Sequence, residues 1–277
     1  MSLTLGTGPF GQRPAGVFNF EPPRRAGVIY FEDSPRRVRG ELAGEVVVDS
    51  TRVKLLHESG HLPVYYFPES DLRTDLLEPS DHTTRCPFKG QAAHWSIRVG
   101  DHLAENAVWG YDDPLEDAPP LAGYRAFYWS KLDRWFEEDE EVFVHPRDPY
   151  SRVDVLDSSR HVRVSVGGQV IVDTRRAKAL FESGLPPRWY IPSDDVRTEL
   201  LTPTDTRTRC PYKGEASYWT ARVGGLEEED LAWSYAEPLR NVAPIAGHLA
   251  FFNERVDLEI DGEVLEPPRT AFSHGRR

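Results

Sequence analysis

The sequence is poor in sulfur. Only 2 of its 277 residues are cysteine and 1 is methionine, which excludes a secreted fold built on several disulfide bridges. The same count excludes a zinc site made of two Cys-x-x-Cys pairs. A single bridge between Cys86 and Cys210 stays an alternative on cysteine counting alone.

Lysine is scarce as well. It occurs only at positions 54, 89, 131, 178 and 213, and arginine supplies the rest of the 33 basic residues. Four of these five lysines form pairs separated by 124 residues, Lys54 with Lys178 and Lys89 with Lys213. Because lysine and arginine differ in hydration, geometry and reactivity, we expect a specific role for the paired lysines.

Two further absences limit location and partners. No stretch approaches the roughly 18 apolar residues of a membrane span, and residues 1–16 lack the basic start and apolar run of a secretory signal. The sequence therefore predicts a soluble, cytoplasmic protein with no membrane partner. Its formal net charge is −12, and no run of Lys and Arg offsets the repulsion of a nucleic acid, which is not an expected partner.

What the sequence does contain is a duplication. The stretch 84–95, TRCPFKGQAAHW, returns as 208–219, TRCPYKGEASYW, and each copy holds one of the two cysteines, at an offset of 124 residues. The chain is long enough for two domains of ordinary size. A short, proline-containing join between the copies predicts that the two repeats pack against each other. We therefore predict an extended N-terminal arm at 1–25, repeat domains at 26–146 and 150–268, and a C-terminal tail at 269–277.

Alternating and aromatic runs dominate each repeat and predict short antiparallel strands. We also expect a short α-helix at 52–59 and at 176–183, because N-cap residues precede these segments and glycine follows them. A second helical turn is expected at 71–77 and at 195–201, and the acidic runs 137–141 and 227–230 are interpreted as solvated turns. The predicted fold class is mainly β (α+β), with one short helix in each domain.

The repeated pattern is Cys-Pro-[Phe/Tyr]-Lys-Gly-x-Ala-x-x-Trp, preceded by Leu-x-Pro-[Ser/Thr]-Asp and followed by Trp-x-Tyr-x-x-Pro. It resembles the family catalogued as domain of unknown function 427, and the resemblance covers both repeats. This resemblance implies two tandem β-tent-like domains. The family has also carried a nucleotidyltransferase-like label, but the sequence contains neither a P-loop nor a Gly-Ser turn with a paired Asp-x-Asp to hold Mg²⁺. We therefore expect no cofactor and no metal, and the resemblance implies a site position without a reaction.

The repeated signature brings a thiol and basic side chains into one turn. A lysine near a thiol favours the thiolate, and the arginine directly before each cysteine adds to that field. Cys86 and Cys210 are therefore candidate nucleophiles. The candidate ligand-binding residues are the basic and aromatic side chains in and after the signature, namely Arg85, Lys89, Trp95, Trp109, Tyr111, Arg209, Tyr212, Lys213, Tyr218, Trp219, Trp233 and Tyr235.

Two functions from different classes remain open. The first is a site for a small polar or anionic ligand in each repeat, with thiol-based chemistry as an option; whether the protein is an enzyme stays open. The alternative is a non-catalytic structural or protein-interaction module, in which the signature is only the core strand-turn-strand. In that case the cysteine is a small buried apolar residue.

The aromatic residues differ between the copies. Tyr212 and Tyr218 carry hydroxyls where the first repeat has Phe88 and His94, and a hydroxyl can hydrogen-bond a polar ligand. This difference, together with Trp189 in place of a tyrosine, predicts that a ligand binds mainly to the second repeat. A Cys/His arrangement is available only in the first.

Overall fold

The computed structural model describes residues 3–11, 13–20, 27–270 and 272–273. The chain divides into two compact units, Met1–Asp148 and Pro149–Arg277. Within the described residues, every helix is too short or too polar to cross a membrane.

The first unit is built from two antiparallel sheets. Its strands are β1 (Ile29–Asp33), β2 (Val38–Leu42), β3 (Glu45–Ser50), β4 (Lys54–Glu58), β5 (Val64–Pro68), β6 (Leu77–Cys86), β7 (Gly90–Val99), β8 (His102–Gly110), β9 (Tyr124–Phe127), β10 (Arg134–Glu137) and β11 (Glu140–Glu141). A seven-stranded sheet has the order β1-β4-β5-β9-β8-β7-β6, and a four-stranded sheet has the order β11-β10-β2-β3. One apolar cluster draws side chains from both sheets, so the main core lies between them. A smaller cluster covers part of the outer face of the seven-stranded sheet.

The second unit repeats this arrangement. Its strands are β12 (Val153–Asp157), β13 (Val162–Val166), β14 (Gln169–Thr174), β15 (Lys178–Glu182), β16 (Arg188–Tyr190), β17 (Leu201–Cys210), β18 (Gly214–Val223), β19 (Leu226–Ser234), β20 (Leu249–Phe251), β21 (Asp257–Ile260) and β22 (Glu263–Val264). The strand orders are β12-β15-β16, β17-β18-β19-β20 and β14-β13-β21-β22. The predicted mainly β fold in two tandem halves is confirmed.

The large sheet of each unit has a narrow seam between two groups of strands. In the first unit β5 joins β9 through three residue pairs, from Tyr66 with Ala126 to Pro68 with Tyr124. In the second unit the join is a single pair, Ile191 with Leu249, which exchanges two backbone hydrogen bonds of 2.7 and 2.9 Å. With this pair included, the strand order of the second unit matches that of the first.

The predicted α-helix at 52–59 and 176–183 is wrong, because these segments form the strands β4 and β15. Ser50 does accept a hydrogen bond from the backbone N–H of Arg52, at 3.0 Å, but the chain then continues extended. Leu55, Leu56 and His57 are all buried, since both faces of β4 are covered. A strand buried on both faces cannot be distinguished from a helix by periodicity.

The second predicted helical turn exists as short 3-10 turns. These are Glu69–Asp71 and Thr74–Leu76 in the first unit, and Ser193–Asp195 and Thr198–Leu200 in the second. The described residues of 1–25 form hydrogen-bonded turns rather than an extended arm. The backbone N–H of Gly60 donates to the carbonyl of Thr4 at 3.0 Å, so this segment packs on the chain that follows β4.

The interpretation of the acidic runs as solvated turns needs two corrections. Residues 227–230 lie inside β19. Glu137 ends β10 with only 5% of its surface exposed, because it accepts hydrogen bonds from the hydroxyl of Tyr65 and from Arg36, both at 2.8 Å. A buried carboxylate with these partners is part of the core.

Candidate functional site

The signature forms a tight turn between two strands. In the second unit β17 ends at Cys210, β18 begins at Gly214, and the N–H of Lys213 donates to the carbonyl of Cys210 at 3.3 Å. Gly214 has a φ of 99°, and a Cβ there would lie 3.3 Å from the carbonyl oxygen of Glu237. Glycine is therefore required both by the left-handed backbone and by the loop that packs on the turn.

Each signature lysine forms a buried ion pair that the sequence did not predict. The ammonium of Lys89 contacts the carboxylate of Glu58, and that of Lys213 contacts Glu182. The four side chains are 8 to 12% exposed. Both glutamates are the last residues of their strands, β4 and β15, so the pair ties that strand end to the signature turn.

Two tyrosines and a tryptophan pack beside this ion pair. In the second unit the indole N–H of Trp233 donates to the hydroxyl of Tyr190 at 3.1 Å, and the rings of Tyr190 and Tyr235 lie 6.5 Å apart. In the first unit the rings of Tyr66 and Trp109 lie 6.5 Å apart, edge to face.

We call this group of six residues the thiol cluster, since each copy includes the signature cysteine. It consists of Glu58, Tyr66, Cys86, Lys89, Trp109 and Tyr111 in the first unit, and of Glu182, Tyr190, Cys210, Lys213, Trp233 and Tyr235 in the second. All six residue types are identical at the offset of 124 residues.

The thiol cluster holds its lysine charged and its tyrosines neutral. Burial alone would lower the pKa of Lys213, but the nearby Cys210, Glu182 and Tyr190 outweigh it, and the net effect raises this pKa. Burial is the main cause that raises the pKa of Tyr190, to about 12, and it also raises the pKa of Tyr235. Near neutral pH the cluster therefore offers an ammonium and phenol hydroxyls as hydrogen-bond donors.

The cysteines are half-buried members of the thiol cluster. Cys86 and Cys210 are both free thiols of intermediate exposure, whereas Lys89 and Lys213 are buried. Cys86 packs against the small apolar cluster on the outer face of the large sheet. In each unit the cysteine is therefore less buried than the lysine.

Several predicted site residues lie away from the thiol cluster. Trp95 and Trp219 pack into the main core on the opposite face of the sheet, and the guanidinium of Arg125 lies 4.4 Å from the ring centre of Trp95. Arg85 and Arg209 are exposed. Arg209 forms an ion pair with Glu215 at 3.1 Å, and this pairing reduces the electrostatic effect of its charge on the thiol.

The polar aromatic residues of the second unit divide between two places. Tyr218 is half-buried beside the apolar cluster that contains Trp233, and its hydroxyl shares a hydrogen bond of 2.7 Å with Thr208. Tyr212 is half-buried in the signature turn. Trp189, by contrast, belongs to the main core, so it does not add to an aromatic wall around Cys210.

Sequence reasoning missed the glutamates and one tyrosine of each thiol cluster. Glu58 with Glu182 and Tyr66 with Tyr190 lie outside the signature, on strands whose spatial neighbours the sequence does not identify. The available signal was their identity at the offset of 124 residues. A search of the whole repeat for identical polar residues would have included them.

An aromatic cleft lies next to the thiol cluster of the first unit. It has a volume of about 330 Å³, and its lining includes Trp109, Tyr128, Trp129 and Trp135. A cleft of about 190 Å³ in the second unit lies around Trp189 of the main core, and its lining contains no member of the thiol cluster. The first-unit cleft, by contrast, includes Trp109 of the thiol cluster in its lining. Throughout the described ranges, no group of three or more His, Cys, Asp or Glu side chains is placed to hold a metal ion.

The fold and the site define a protein made of two mainly β units, each with a thiol cluster on the outer face of its large sheet. The model of the family described as Domain of unknown function (DUF427) matches residues 30–138 and 154–262. These two matches span more than half of the chain, which therefore belongs to this family in two tandem copies. A comparison with curated proteins found no match.

Proposed function

We propose that each unit binds a small polar molecule at its thiol cluster, with the cysteine thiol as the reactive group. One observation carries this proposal: in each unit five residues from separate elements meet beside a half-buried cysteine, and all six residue types are the same in the two units. Strands β4, β5, β6 and β8, the signature turn and the residue after β8 each supply a member in the first unit.

The buried ion pair of each unit favours a functional role over a purely stabilising one. A buried pair of charges is on average no more stabilising than well-packed apolar residues of similar volume, because desolvation offsets the attraction. Lys89 with Glu58 and Lys213 with Glu182 are nevertheless present in both copies. A charged lysine held in place by a carboxylate is useful where a bound molecule needs a fixed donor.

The charge balance narrows the class of ligand. Each buried ammonium is already compensated by a glutamate, and Arg209 is compensated by Glu215. A strongly anionic ligand would therefore meet little net positive charge. A neutral polar ligand can accept hydrogen bonds from the tyrosine hydroxyls without displacing a carboxylate.

The reaction class is nucleophilic attack by sulfur. The thiolate forms a covalent bond to an electrophilic carbon or sulfur atom of the ligand, and the departing group takes the bonding electron pair. The ammonium and the phenols stabilise the negative charge that develops during this step.

The proposal is tested by alkylation of single-cysteine proteins with iodoacetamide. Cys86→Ser leaves only Cys210, and intact-mass spectrometry follows its alkylation in the native protein at neutral pH, with N-acetylcysteine as the reference thiol. We expect Cys210 to react faster than the reference. Adding Glu182→Leu with Lys213→Met removes the ion pair without leaving an unpaired buried charge, and should slow alkylation by about three- to tenfold.

Two results would contradict this proposal. One is that native Cys210 reacts no faster than N-acetylcysteine. The other is that the double substitution leaves the rate unchanged while the protein stays folded by circular dichroism.

A structural role is the second candidate, and a specific contact favours it. The carbonyl of Lys89 accepts a hydrogen bond from the backbone N–H of Leu115 at 3.2 Å, and Lys213 does the same for Leu239 at 3.1 Å. The backbone of the signature turn thus holds the loop after β8 or β19, and a side-chain substitution keeps this contact. If the role of the turn and its ion pair is only structural, the double substitution changes stability at most and not the alkylation rate of the native thiol.

A further inference from the structure

His94 is a buried polar side chain that the thiol cluster does not use. Only 1% of its surface is exposed, and both ring nitrogens lack a hydrogen-bond partner in the part of the chain that the structure describes. The backbone carbonyls of His82 and Ala92 interact with the ring, but neither reaches hydrogen-bond geometry. Buried polar groups without partners are rare in folded proteins, and each calls for an explanation.

A second unpartnered group comes from the neighbouring strand. The side-chain oxygen of Asn106 is buried and has no hydrogen-bond partner among the described residues. Asn106 sits in β8 with a φ of 50°, and its backbone N–H donates to the hydroxyl of Ser96 at 3.0 Å. The backbone is therefore held in place while the amide oxygen is left without a donor.

The second unit satisfies all the equivalent groups. Tyr218 stands in place of His94, and its hydroxyl is bonded to Thr208 at 2.7 Å. Asp230 stands in place of Asn106, and its carboxylate accepts hydrogen bonds from Thr204 and Thr206 at 2.6 and 2.7 Å. At equivalent positions the second unit therefore has hydrogen-bonded side chains, whereas the first has polar side chains without a partner among the described residues.

His82 makes the first-unit site accessible. It replaces Thr206, which contacts Asp230 in the second unit, and its ring centre lies 4.6 Å from that of His94. His82 is exposed, so a solute can reach its ring, which lies against the buried ring of His94. Tyr128 stacks on the other side of His94, with ring centres 6.3 Å apart.

We propose that His82 and His94 bind one divalent transition-metal ion, with water and the amide oxygen of Asn106 completing its coordination. Imidazole nitrogen is a preferred donor for Zn²⁺, Cu²⁺ and Ni²⁺. A histidine that binds a metal usually donates its other ring N–H to a carbonyl or carboxylate, and the carbonyls of His82 and Ala92 interact with the His94 ring without reaching hydrogen-bond geometry. The site belongs to the first unit alone, because the second has Thr206 and Tyr218 at these positions.

The test uses the full chain without an affinity tag and with Zn²⁺ as the probe in isothermal titration. We expect one ion per chain. His82→Thr and His94→Tyr each import the residue of the second unit, and each should weaken binding at least tenfold. His102→Ala removes an exposed histidine elsewhere on the first unit and should change nothing.

Cu²⁺ provides a spectroscopic readout that does not depend on affinity. Its electron paramagnetic resonance spectrum should show two nitrogen donors in the unmodified chain and one in the His82→Thr protein. His82 lies on the exposed face of a sheet-edge strand, so this substitution keeps the test valid even where His94→Tyr perturbs folding. Absence of Zn²⁺ binding, or binding of equal affinity in His82→Thr and the unmodified chain, would overturn the proposal.

Discussion

The two units carry the same thiol cluster on the same sheet and differ in the main core on the opposite face of that sheet. In the first unit Tyr65 donates to the buried carboxylate of Glu137, which also binds Arg36. In the second unit Trp189 replaces Tyr65, and Ile260 takes the position of Glu137 opposite the start of β13.

This contrast separates two kinds of residue. In the main core the second unit has apolar packing where the first has a polar network, and on the outer face it has a tyrosine where the first has a histidine, without a change of fold. Within the cluster none of the six residue types differs. Positions outside the thiol cluster therefore differ in residue type between the two units, whereas the six positions of the cluster do not. A shared chemical role requires such identity.

The largest effect is expected from breaking one ion pair in one unit. Lys213→Met leaves the carboxylate of Glu182 buried without its partner, which should lower the free energy of unfolding by about 3–5 kcal/mol. Adding Glu182→Leu should recover most of this loss, because an apolar pair fills the same space. Urea denaturation measures both, with Lys89→Met and Glu58→Leu as the matched pair in the first unit. A double variant as unstable as the single one would contradict the desolvation argument.

The next largest effect is expected when core residues of the first unit are replaced by those of the second. Glu137→Ile imports the residue of the second unit but leaves the buried hydroxyl of Tyr65 without an acceptor, at an expected cost of about 2–4 kcal/mol. Tyr65→Trp on the same background completes the second unit's solution and should restore at least half of the loss. Chemical denaturation compares the two. No recovery in the double variant would mean that the two solutions are not interchangeable.

A smaller difference concerns acid stability. Arg188 forms a bidentate pair with Glu254 at 2.7 Å in the second unit, where the first unit has Val64 and Ser130. Burial raises the pKa of Glu254, but hydrogen bonds from Arg188 and Thr270 outweigh it and lower this pKa below its ordinary 4.5. A carboxyl whose pKa is lowered by folding stabilises the protein above its unfolded value and loses this contribution as the pH falls through the folded value.

The acid prediction therefore has a defined window. As the pH drops below about 4.5, the unmodified chain should lose stability more steeply than Arg188→Met, which lacks the pair. Thermal unfolding between pH 6 and pH 3 measures the two slopes. Parallel slopes would show that this pair does not contribute to the pH dependence.

The smallest difference is expected between the two thiols themselves. Because the clusters are identical, Cys86 in Cys210→Ser and Cys210 in Cys86→Ser should be alkylated by iodoacetamide at rates within about threefold of each other. A larger difference in rate would mean that residues outside the thiol cluster control the reactivity of the thiol. The hydroxyls of Tyr212 and Tyr218 still predict tighter binding of a polar ligand by the second unit.

The sequence was most informative where chemistry is local. The turn follows from Cys210, Pro211 and Gly214, since their backbone preferences act over a few residues. The duplication likewise needed only the sequence itself. The strand β4 was mistaken for a helix because its buried residues are consecutive, and only the covering of both sheet faces explains that pattern.

The site required spatial information that the sequence does not contain. Trp95 and Trp109 both occur in strands, but a bulge between Trp95 and Ile97 and the pairing of His94 with Trp109 decide which face each occupies. Glu58 contacts Lys89 although β4 and β6 are far apart in the strand order, a contact that the pairing of neighbouring strands does not predict. Periodicity within a strand cannot supply either relation.

The seam of the large sheet in the second unit is a line along which the thiol cluster can open locally. Glu182 lies on one side of the seam and Lys213 on the other, so the ion pair, like the hydrogen bond from Trp233 to Tyr190, bridges two strand groups. The backbones of these groups are joined by the single pair Ile191 and Leu249. Local opening at this line would separate lysine from glutamate and bare the cysteine without unfolding the unit. Amide hydrogens of Ile191 and Leu249 should then exchange with solvent faster than those inside β18. The exposure of Cys210 to solvent would increase each time the sheet opens at the seam.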